Sequence, residues 1–523
     1  DELGNAITTG EADPGYNDQL FGIVGNDRIQ GLGGDDILGG YPSRGNSAGD
    51  GGIGNDIIEG GTGSDACLGG LGDDRLYSNT EISLADALAR NEQGGANGAR
   101  GDWLTGHEGN DLLVGAEAAD ILMGGSEEDY LIGGAGDDNL YGDSDGIEFW
   151  SDKVWSVSRS VEQNGDITKY KTSFAEARVY MVSGSEGNAD VLLGGTGDDW
   201  LHGEGGDDLL DGGTNNDVAF GGAGADQVFG GVGDDVLSGD VLDDGSADGL
   251  AGSLHGNDYL DGEDGDDKLY GNGGDDVLWG GIGNDELSGD DIKTPGQYHG
   301  KDVLDGEDGN DTLWGDGSDD ELYGGIGDDH LEGDYSKLDG QYHGKDYLDG
   351  GEGKDTLIGG GSDDILYGGK DDDVLAGDDS SDVPLDAQYH GNDVLDGEEG
   401  NDNLVGGGGD DELYGSEGND DLWGDGETVS AADGGNDLLD GGVGNDSLAG
   451  EGGNDELYGG EGEDHLSGGE GDDTLIGGTG SDAFDGGEGN DTYVFAAGDS
   501  PTSAAGTNED ICDESGNNTV EFE

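Results

Sequence analysis

The chain of 523 residues has two cysteines, 17 basic residues against 126 acidic ones, and only 30% hydrophobic residues. Each scarcity closes off a class. Two cysteines at this size cannot supply a disulfide framework; Cys67 falls at an inward repeat position and reads as a small buried hydrophobe, while Cys512 lies in an acidic tail. A formal net charge of -109 makes nucleic acid and anionic membrane surfaces unsuitable partners. No apolar run is long enough to span a bilayer, so membrane insertion is not expected. An initiating Met and a signal-peptide pattern are also missing at Asp1, which reads as a processed form or a piece of a longer product. Without a counterion, such a chain has the profile of a disordered polyanion.

What the sequence has is glycine, 121 residues of it, in a strict period of nine: G-G-x-G-[N/D]-D-x-[L/I/V]-x, in about forty copies. The recurring acidic position is occupied by Asp18, Asp27, Asp36, Asp56, Asp65 and Asp74, then by Asp102, Asp111, Asp120, Asp129 and Asp138. It continues through Asp190, Asp199, Asp208, Asp217, Asp226 and Asp235, and through Asp258, Asp267, Asp276 and Asp285. Asp302, Asp311, Asp320, Asp329, Asp346, Asp355, Asp364 and Asp373 follow, then Asp393, Asp402, Asp411 and Asp420. Asp437, Asp446, Asp455, Asp464, Asp473, Asp482 and Asp491 complete the series. These are the candidate metal ligands.

Each repeat position has a physical task, visible in Gly280-Gly281-Ile282-Gly283-Asn284-Asp285-Glu286-Leu287-Ser288. Three glycines in four residues allow positive φ and close approach of neighbouring turns. Glu286 and Ser288 then face water while Leu287 points inward, the period-two signature of a very short strand. Two nonapeptides make one circuit of a flattened coil, so residues eighteen apart stack on one edge and odd and even copies line opposite edges. The expected fold is all-β, a parallel β-roll. About twenty coils at the spacing of neighbouring strands would measure about 95 Å.

Stacked turns bring main-chain carbonyls and an Asp carboxylate together about every 4.8 Å. Calcium suits that arrangement, because it takes six to eight oxygen ligands in irregular geometry and uses main-chain carbonyls readily, whereas magnesium demands a near-ideal octahedron. One buried Leu per repeat returns roughly 1.5 to 3 kcal/mol, well short of the backbone entropy of nine ordered residues. Many bound Ca2+ ions are therefore the expected cofactor and the expected driving force for folding.

The repeats resemble those of the RTX, or haemolysin-type calcium-binding, family over roughly four-fifths of the chain, with the register kept across dozens of copies. That resemblance implies export as an unfolded chain through a type I secretion system and folding in calcium-rich surroundings outside the cell. It also implies that Gly489-Asn490-Asp491-Thr492-Tyr493-Val494-Phe495 is the aromatic closure of the array.

Breaks in the register divide the chain. The expected organisation is roll repeats over 1–77, a helical insertion over 78–100, roll over 101–142, a basic aromatic hairpin over 143–187, and roll over 188–240. Roll in 44-residue units with Tyr-His loops follows over 241–436, then a C-terminal roll and cap over 437–495 and an acidic tail over 496–523. In the first insertion, Glu81 to Arg90 reads as a short helix capped by Ser83 or Thr80, ending before Gly94 and packing Leu84 and Leu88 on the coil. In the second, Lys153 to Val161 and Asp166 to Phe174 flank Asn164-Gly165, a hairpin signal, with Arg178 to Val182 as a third strand. Five of the seventeen basic residues lie here, Lys153, Arg159, Lys169, Lys171 and Arg178, with Trp150, Trp155, Tyr170 and Tyr180. Trp155, Lys169, Tyr170 and Lys171 are candidate contact residues for an identical neighbour or a glycan; the alternative is a hairpin folded back on its own coil.

The 44-residue units repeat Gln297-Tyr298-His299-Gly300 as Gln341-Tyr342-His343-Gly344 and Gln388-Tyr389-His390-Gly391, with a shorter Leu254-His255-Gly256. Four nonapeptides are two coils, so these loops should emerge on one edge about 10 Å apart. Tyr298, His299, Tyr342, His343, Tyr389 and His390 are candidates for an assembly surface or a secondary metal site; the alternative is that they cover the turn where Gly-Gly is missing. On that reading the metal sites near Asp302, Asp346 and Asp393 are in doubt. The tail is polar except for Thr519-Val520-Glu521-Phe522, which suits pairing with its own roll or with the next molecule.

Catalysis has little support. His107-Glu108 is the repeat and not a zinc-protease motif, and Gly142-Asp143-Ser144-Asp145-Gly146 lacks the strand-to-helix setting of a nucleophilic serine. Acidic pairs occur wherever the repeat demands them, and glycine-rich turns accompany carboxylates rather than a lysine. The expected function is a secreted calcium-binding structural protein, a subunit of an extracellular filament, adhesin shaft or biofilm matrix, and not an enzyme. The alternative is the secretion and folding module of a larger toxin or hydrolase.

Overall fold

The computed structural model describes residues 54–61, 65–78, 100–116, 118–142, 188–240, 255–290, 294–334, 340–378, 388–426, 434–495 and 518–522. It also describes Ser83, Ala87, Leu338 and the strand segments 7–8, 19–22, 28–31, 37–40, 158–164, 167–173 and 510–512. The chain forms two units, Asp1–Ala223 and Gly224–Glu523, each wound on the same plan.

In the second unit the inward Leu of each repeat stacks on its counterpart one circuit away. Leu260 lies beside Leu278 and Leu278 beside Leu304 in one parallel sheet; Leu269 lies beside Leu287 and Leu287 beside Leu313 in the other. All six are fully buried, so the core is one leucine per strand held between two sheets. The first unit repeats the arrangement with Leu192 beside Leu210. Cys67 takes a leucine's place there, paired in register with Leu38 and Leu104 and fully buried. Strands this short gain little from propensity; the parallel ladder on both sides makes them cooperative.

The two leading glycines are required for different reasons. At the first, a Cβ on Gly280 would lie 2.6 Å from Asp285 Oδ2 and 2.9 Å from the Gly306 carbonyl oxygen of the next circuit. At the second, conformation and space both count: Gly281 has φ +106, and a Cβ there would lie 2.1 Å from the Glu263 carbonyl oxygen of the preceding circuit. Non-glycine residues do occupy the second position, Glu263 among them, at a smaller φ of +69 within the left-handed region.

Insertions leave the register intact. The Asp129 amide donates to Asp190 Oδ1 at 2.7 Å across 61 residues, and Leu131 pairs beside Leu192 across the hairpin insertion. That insertion holds an antiparallel pair, Ser158–Asn164 with Ile167–Ser173. Asn164 pairs with Ile167; Gly165 and Asp166 lie outside the described residues. Arg178 to Val182 and Trp155 lie outside the described residues. In the helical insertion the Ala87 amide donates to the Ser83 carbonyl at 2.9 Å, one α-helical turn, and Ala87 packs with Tyr77, Val114 and Ile132. Leu84 and Leu88 lie outside the described residues.

At the C-terminal end aromatic residues replace leucine. Phe484 packs edge-on against Tyr493 and Phe495, with ring centroids 6.0 and 5.4 Å apart, and all three are buried. The winding then continues: Asp510–Cys512 pairs with Ala483–Glu488 and Thr519–Phe522 pairs with Thr492–Phe495, both parallel. The alternating piece of the tail thus pairs with its own roll.

Gly280→Ala should raise the calcium concentration needed for folding and lower the thermal midpoint, since the added methyl meets a carboxylate and a carbonyl. Ile282→Ala, at a side chain 59% exposed, should change stability by about 0.5 kcal/mol or less. Calcium titration followed by circular dichroism measures both, and equal effects would refute the steric account.

Candidate metal centre

The repeat aspartates form ladders. In the second unit the Asp258 amide donates to Asp276 Oδ1 at 2.7 Å, Asp276 to Asp302 at 2.8 Å, and Asp302 to Asp320 at 2.8 Å. On the opposite edge Asp267 donates to Asp285 at 2.7 Å, Asp285 to Asp311 at 2.7 Å, and Asp311 to Asp329 at 2.8 Å. The first unit carries the same pair of ladders, as in Asp56 to Asp74 and Asp102 to Asp120. Every candidate ligand from Asp56 to Asp491 is buried; Asp18, Asp27 and Asp36 lie outside the described residues. At the last turn Asn518 accepts the Asp491 amide at 2.8 Å, an uncharged end to the column.

One residue earlier, the Asn or Asp present in most repeats builds an exposed ladder of opposite sense. The Asn284 amide donates back to Asp266 Oδ1 at 2.9 Å, and the Asn310 amide to Asn284 Oδ1 at 3.1 Å. Consecutive turn amides are thereby satisfied, one by the circuit ahead and one by the circuit behind, which is the physical meaning of the N/D-D pair.

Only one oxygen of each buried carboxylate is used by its ladder bond. Oδ2 of Asp74, Asp138, Asp267, Asp320, Asp355 and Asp437, among many others, is buried with no hydrogen-bond donor. These oxygens face main-chain carbonyls. At Gly262, the point where a side chain would begin has Asp267 Oδ2 and the Gly280 carbonyl oxygen each 2.5 Å away. At Gly324 the corresponding atoms are the Gly350 carbonyl oxygen at 2.6 Å and Asp329 Oδ2 at 2.7 Å. Burial without a cation drives the carboxyl groups toward the neutral form: Asp74 is raised to about 8, Asp138 to about 9 and Asp437 to about 9, with loss of water as the main cause and neighbouring carboxylates adding to it.

A hard cation fits this donor set. Uncommitted carboxylate oxygens beside main-chain carbonyls are what calcium uses, and its flexible coordination tolerates a repeated, imperfect cage. Among the described residues, no group of three or more His, Cys, Asp or Glu side chains is placed to hold an ion. Ladder carboxylates and turn carbonyls together would hold calcium, which would supply charge neutralisation and cross-linking between circuits.

The ladder runs through the Tyr-His loops without a break. Asp302, Asp346 and Asp393 accept the Asp276, Asp320 and Asp364 amides, each at 2.8 Å, and their Oδ2 atoms are as buried and uncommitted as elsewhere. His299 and His343 are turned inward, with Nδ1 3.5 Å from Asp290 and Asp334 respectively; His390 faces Asp378 at 3.6 Å. These imidazoles cover the turn, and the surface of the loops is left to the tyrosines. Tyr342 lies against Gly296 of the preceding loop and Tyr389 against Gly340, so the loops stack along one edge. On the hairpin, Lys169, Tyr170 and Lys171 pair in register with Glu162, Val161 and Ser160.

Sequence reasoning missed a second set of buried carboxylates. Asp240, Asp290, Asp334, Asp378 and Asp425 occupy the second glycine position immediately before the insertions of the second unit, and all are buried. Asp290 accepts the Gly300 amide at 3.1 Å and Asp334 the Gly344 amide at 3.1 Å, closing the loop on itself. Asp378 and Asp425 accept amides from the following circuit, Gly408 at 2.7 Å and Gly452 at 2.9 Å. The signal was present as Gly-Asp in place of Gly-Gly at every such break.

Because the folded carboxyl groups titrate above their unfolded value of about 4, the metal-free roll gains stability from bound protons. That contribution is complete below about pH 4 and is lost as pH rises through the raised values, about 8 for Asp74 and about 9 for Asp138. Chelated protein should therefore be more ordered at acid than at neutral pH by circular dichroism, and calcium should bind more tightly as pH rises. Chelated protein equally ordered at both would contradict this. Asp320→Asn keeps the Oδ1 bond to Asp302 but removes the charge, so it should weaken calcium-dependent folding while stabilising the chelated form at neutral pH. Asp320→Ala should weaken both.

The model of the RTX calcium-binding nonapeptide repeat matches residues 15–41, 44–76, 97–127, 114–146, 185–219, 211–245, 256–287, 300–331, 344–383, 391–422, 431–466 and 458–493. No curated protein matches the chain. Among solved structures, a hyperactive, Ca2+-dependent, β-helical antifreeze protein from an Antarctic bacterium is 20% identical, covering 61% of this chain and 82% of its own, with a TM-score of 0.20. With the repeat model matching well over half of its length, the chain belongs to the RTX calcium-binding nonapeptide repeat family.

Proposed function

We propose that this is a secreted structural protein whose calcium-dependent winding is its function, and that it carries no catalytic site. The observation that supports this reading is the column of buried carboxylates with one oxygen uncommitted, repeated through nearly all of the described roll. A net charge of -109 keeps the chain unfolded at the low calcium of the cytosol and compatible with passage through a type I exporter. Millimolar calcium outside the cell then winds it.

The ladder aspartates from Asp56 to Asp491 are the proposed ligands, with Asp18, Asp27 and Asp36 extending the series. The partner is a second copy of the chain, giving a filament, adhesin shaft or matrix. The charge contrast supports it, since the hairpin concentrates Lys169 and Lys171 in an otherwise acidic molecule and like rolls repel except where such a segment intervenes. The stacked Tyr-His loops offer a second edge.

Calcium titration with circular dichroism and light scattering on the same sample tests both parts. The expected outcome is a cooperative gain of β structure between micromolar and millimolar calcium, followed by growth in scattering that Lys169→Glu with Lys171→Glu reduces several-fold. Chelated protein that keeps its full order at neutral pH would sink the folding role. Isolated particles at every calcium and protein concentration would sink the assembly role, and a native product much longer than 523 residues by mass spectrometry would favour the module reading.

A further inference from the structure

The outer face of one sheet in the second unit carries a pattern that calcium binding does not require. On the strands that precede the uninterrupted turns, the residue after the inward leucine is alternately aromatic and acidic. Its aromatic members are Trp279, Tyr323, Tyr367, Tyr414 and Tyr458, all half-buried. Between them, in strand register, stand Asp305, Asp349, Asp396 and Asp440: Trp279 pairs beside Asp305, Asp305 beside Tyr323, Tyr323 beside Asp349, and so on to Tyr458. Neighbouring strands are about 4.8 Å apart, so a ring recurs about every 9.6 Å with a carboxylate midway.

The rings are held in place. Tyr323 donates its hydroxyl to Glu321 at 3.3 Å and Tyr414 to Glu412 at 3.0 Å, which lays each ring along its own strand. Tyr347 adds a bridging ring, 5.7 Å from both Tyr323 and Tyr367. The carboxylates are anchored through one oxygen: Asp305 Oδ1 accepts the Glu307 amide at 3.1 Å, and Asp396 Oδ1 accepts the Glu398 amide at 3.1 Å and the Ser416 hydroxyl at 2.8 Å. A row of fixed aromatic faces with acceptors between them costs little ordering on binding.

We propose that this face binds an extended, uncharged β-1,4-linked polysaccharide lying across the strands. Such a chain repeats every two sugars, a length close to two strand spacings, so each ring would meet the apolar face of every second sugar while the intervening aspartate accepts its hydroxyls. The carboxylates exclude acidic polysaccharides by repulsion, which selects glucose- or N-acetylglucosamine-type polymers. This site is separate from the basic hairpin and rests only on the calcium-folded roll.

The test is retention of the full chain, in millimolar calcium, on insoluble cellulose and chitin. The triple variant Tyr323→Leu, Tyr367→Leu, Tyr414→Leu should bind about tenfold more weakly or worse, while the corresponding Phe triple variant keeps the flat rings, loses only the hydroxyl anchors, and should bind within about threefold of the unaltered protein. Trp423→Ala removes an exposed aromatic from the other sheet and should bind normally. Longer soluble oligomers of the same sugars should compete better than dimers, a readout that needs no variant. The proposal is overturned if protein folded by circular dichroism is retained on neither polymer, if the Leu triple variant binds unchanged, or if retention is abolished by salt and shared equally by all variants. Failure to fold in calcium would instead count against the function proposed above.

Discussion

A buried carboxylate shared between two circuits is the interaction on which the molecule depends. One oxygen receives an amide from the neighbouring turn and so fixes the register; the other is left facing carbonyls with no proton donor. Burying an uncompensated charge costs several kcal/mol per ion, so a column of such groups cannot stand alone at neutral pH. Either protons or a divalent cation must accompany the winding. Calcium meets that demand without requiring acid, which couples the fold to the calcium concentration around it.

The same constraint explains the composition. Glycine at the first repeat position leaves room for the carboxylate and the next carbonyl, and glycine at the second permits the left-handed turn. The core has one leucine per strand because ladder bonds also join the circuits, and calcium held between them would add to that. A chain with few apolar residues can therefore be ordered over hundreds of positions. Freedom remains on the outer strand positions and at the turns where loops insert, and there the molecule acquires features of its own: stacked Tyr-His loops, the basic hairpin and the alternating aromatic face.

The loop-bearing edge illustrates how an array absorbs insertions. An aspartate replaces glycine at the point of departure, accepts amides at the point of return or from the next circuit, and faces an imidazole at four of the breaks. The carboxylate ladder continues past each of these loops undisturbed. Hairpin and helix insertions in the first unit obey the same rule, preserving pairing across gaps as long as 61 residues.

The parallel roll, the eighteen-residue circuit, the inward leucines and the acidic ladder were all legible in the sequence, because a strict period makes every copy subject to the same local sterics and charge. Family membership followed from that period. The antiparallel strand pair flanking Asn164-Gly165 was legible as well, because two alternating runs about a short glycine-containing link pair locally. Only the tertiary structure decided which way His299 and His343 face, that the tail adds a further winding, and that Asp290 and Asp334 are loop closures. It also brought Trp279, Tyr323 and Tyr367 into line with aspartates between them. Those outcomes depend on which residues become neighbours across circuits, and contacts between residues 18 to 61 positions apart are set by the winding rather than by any local stretch of chain.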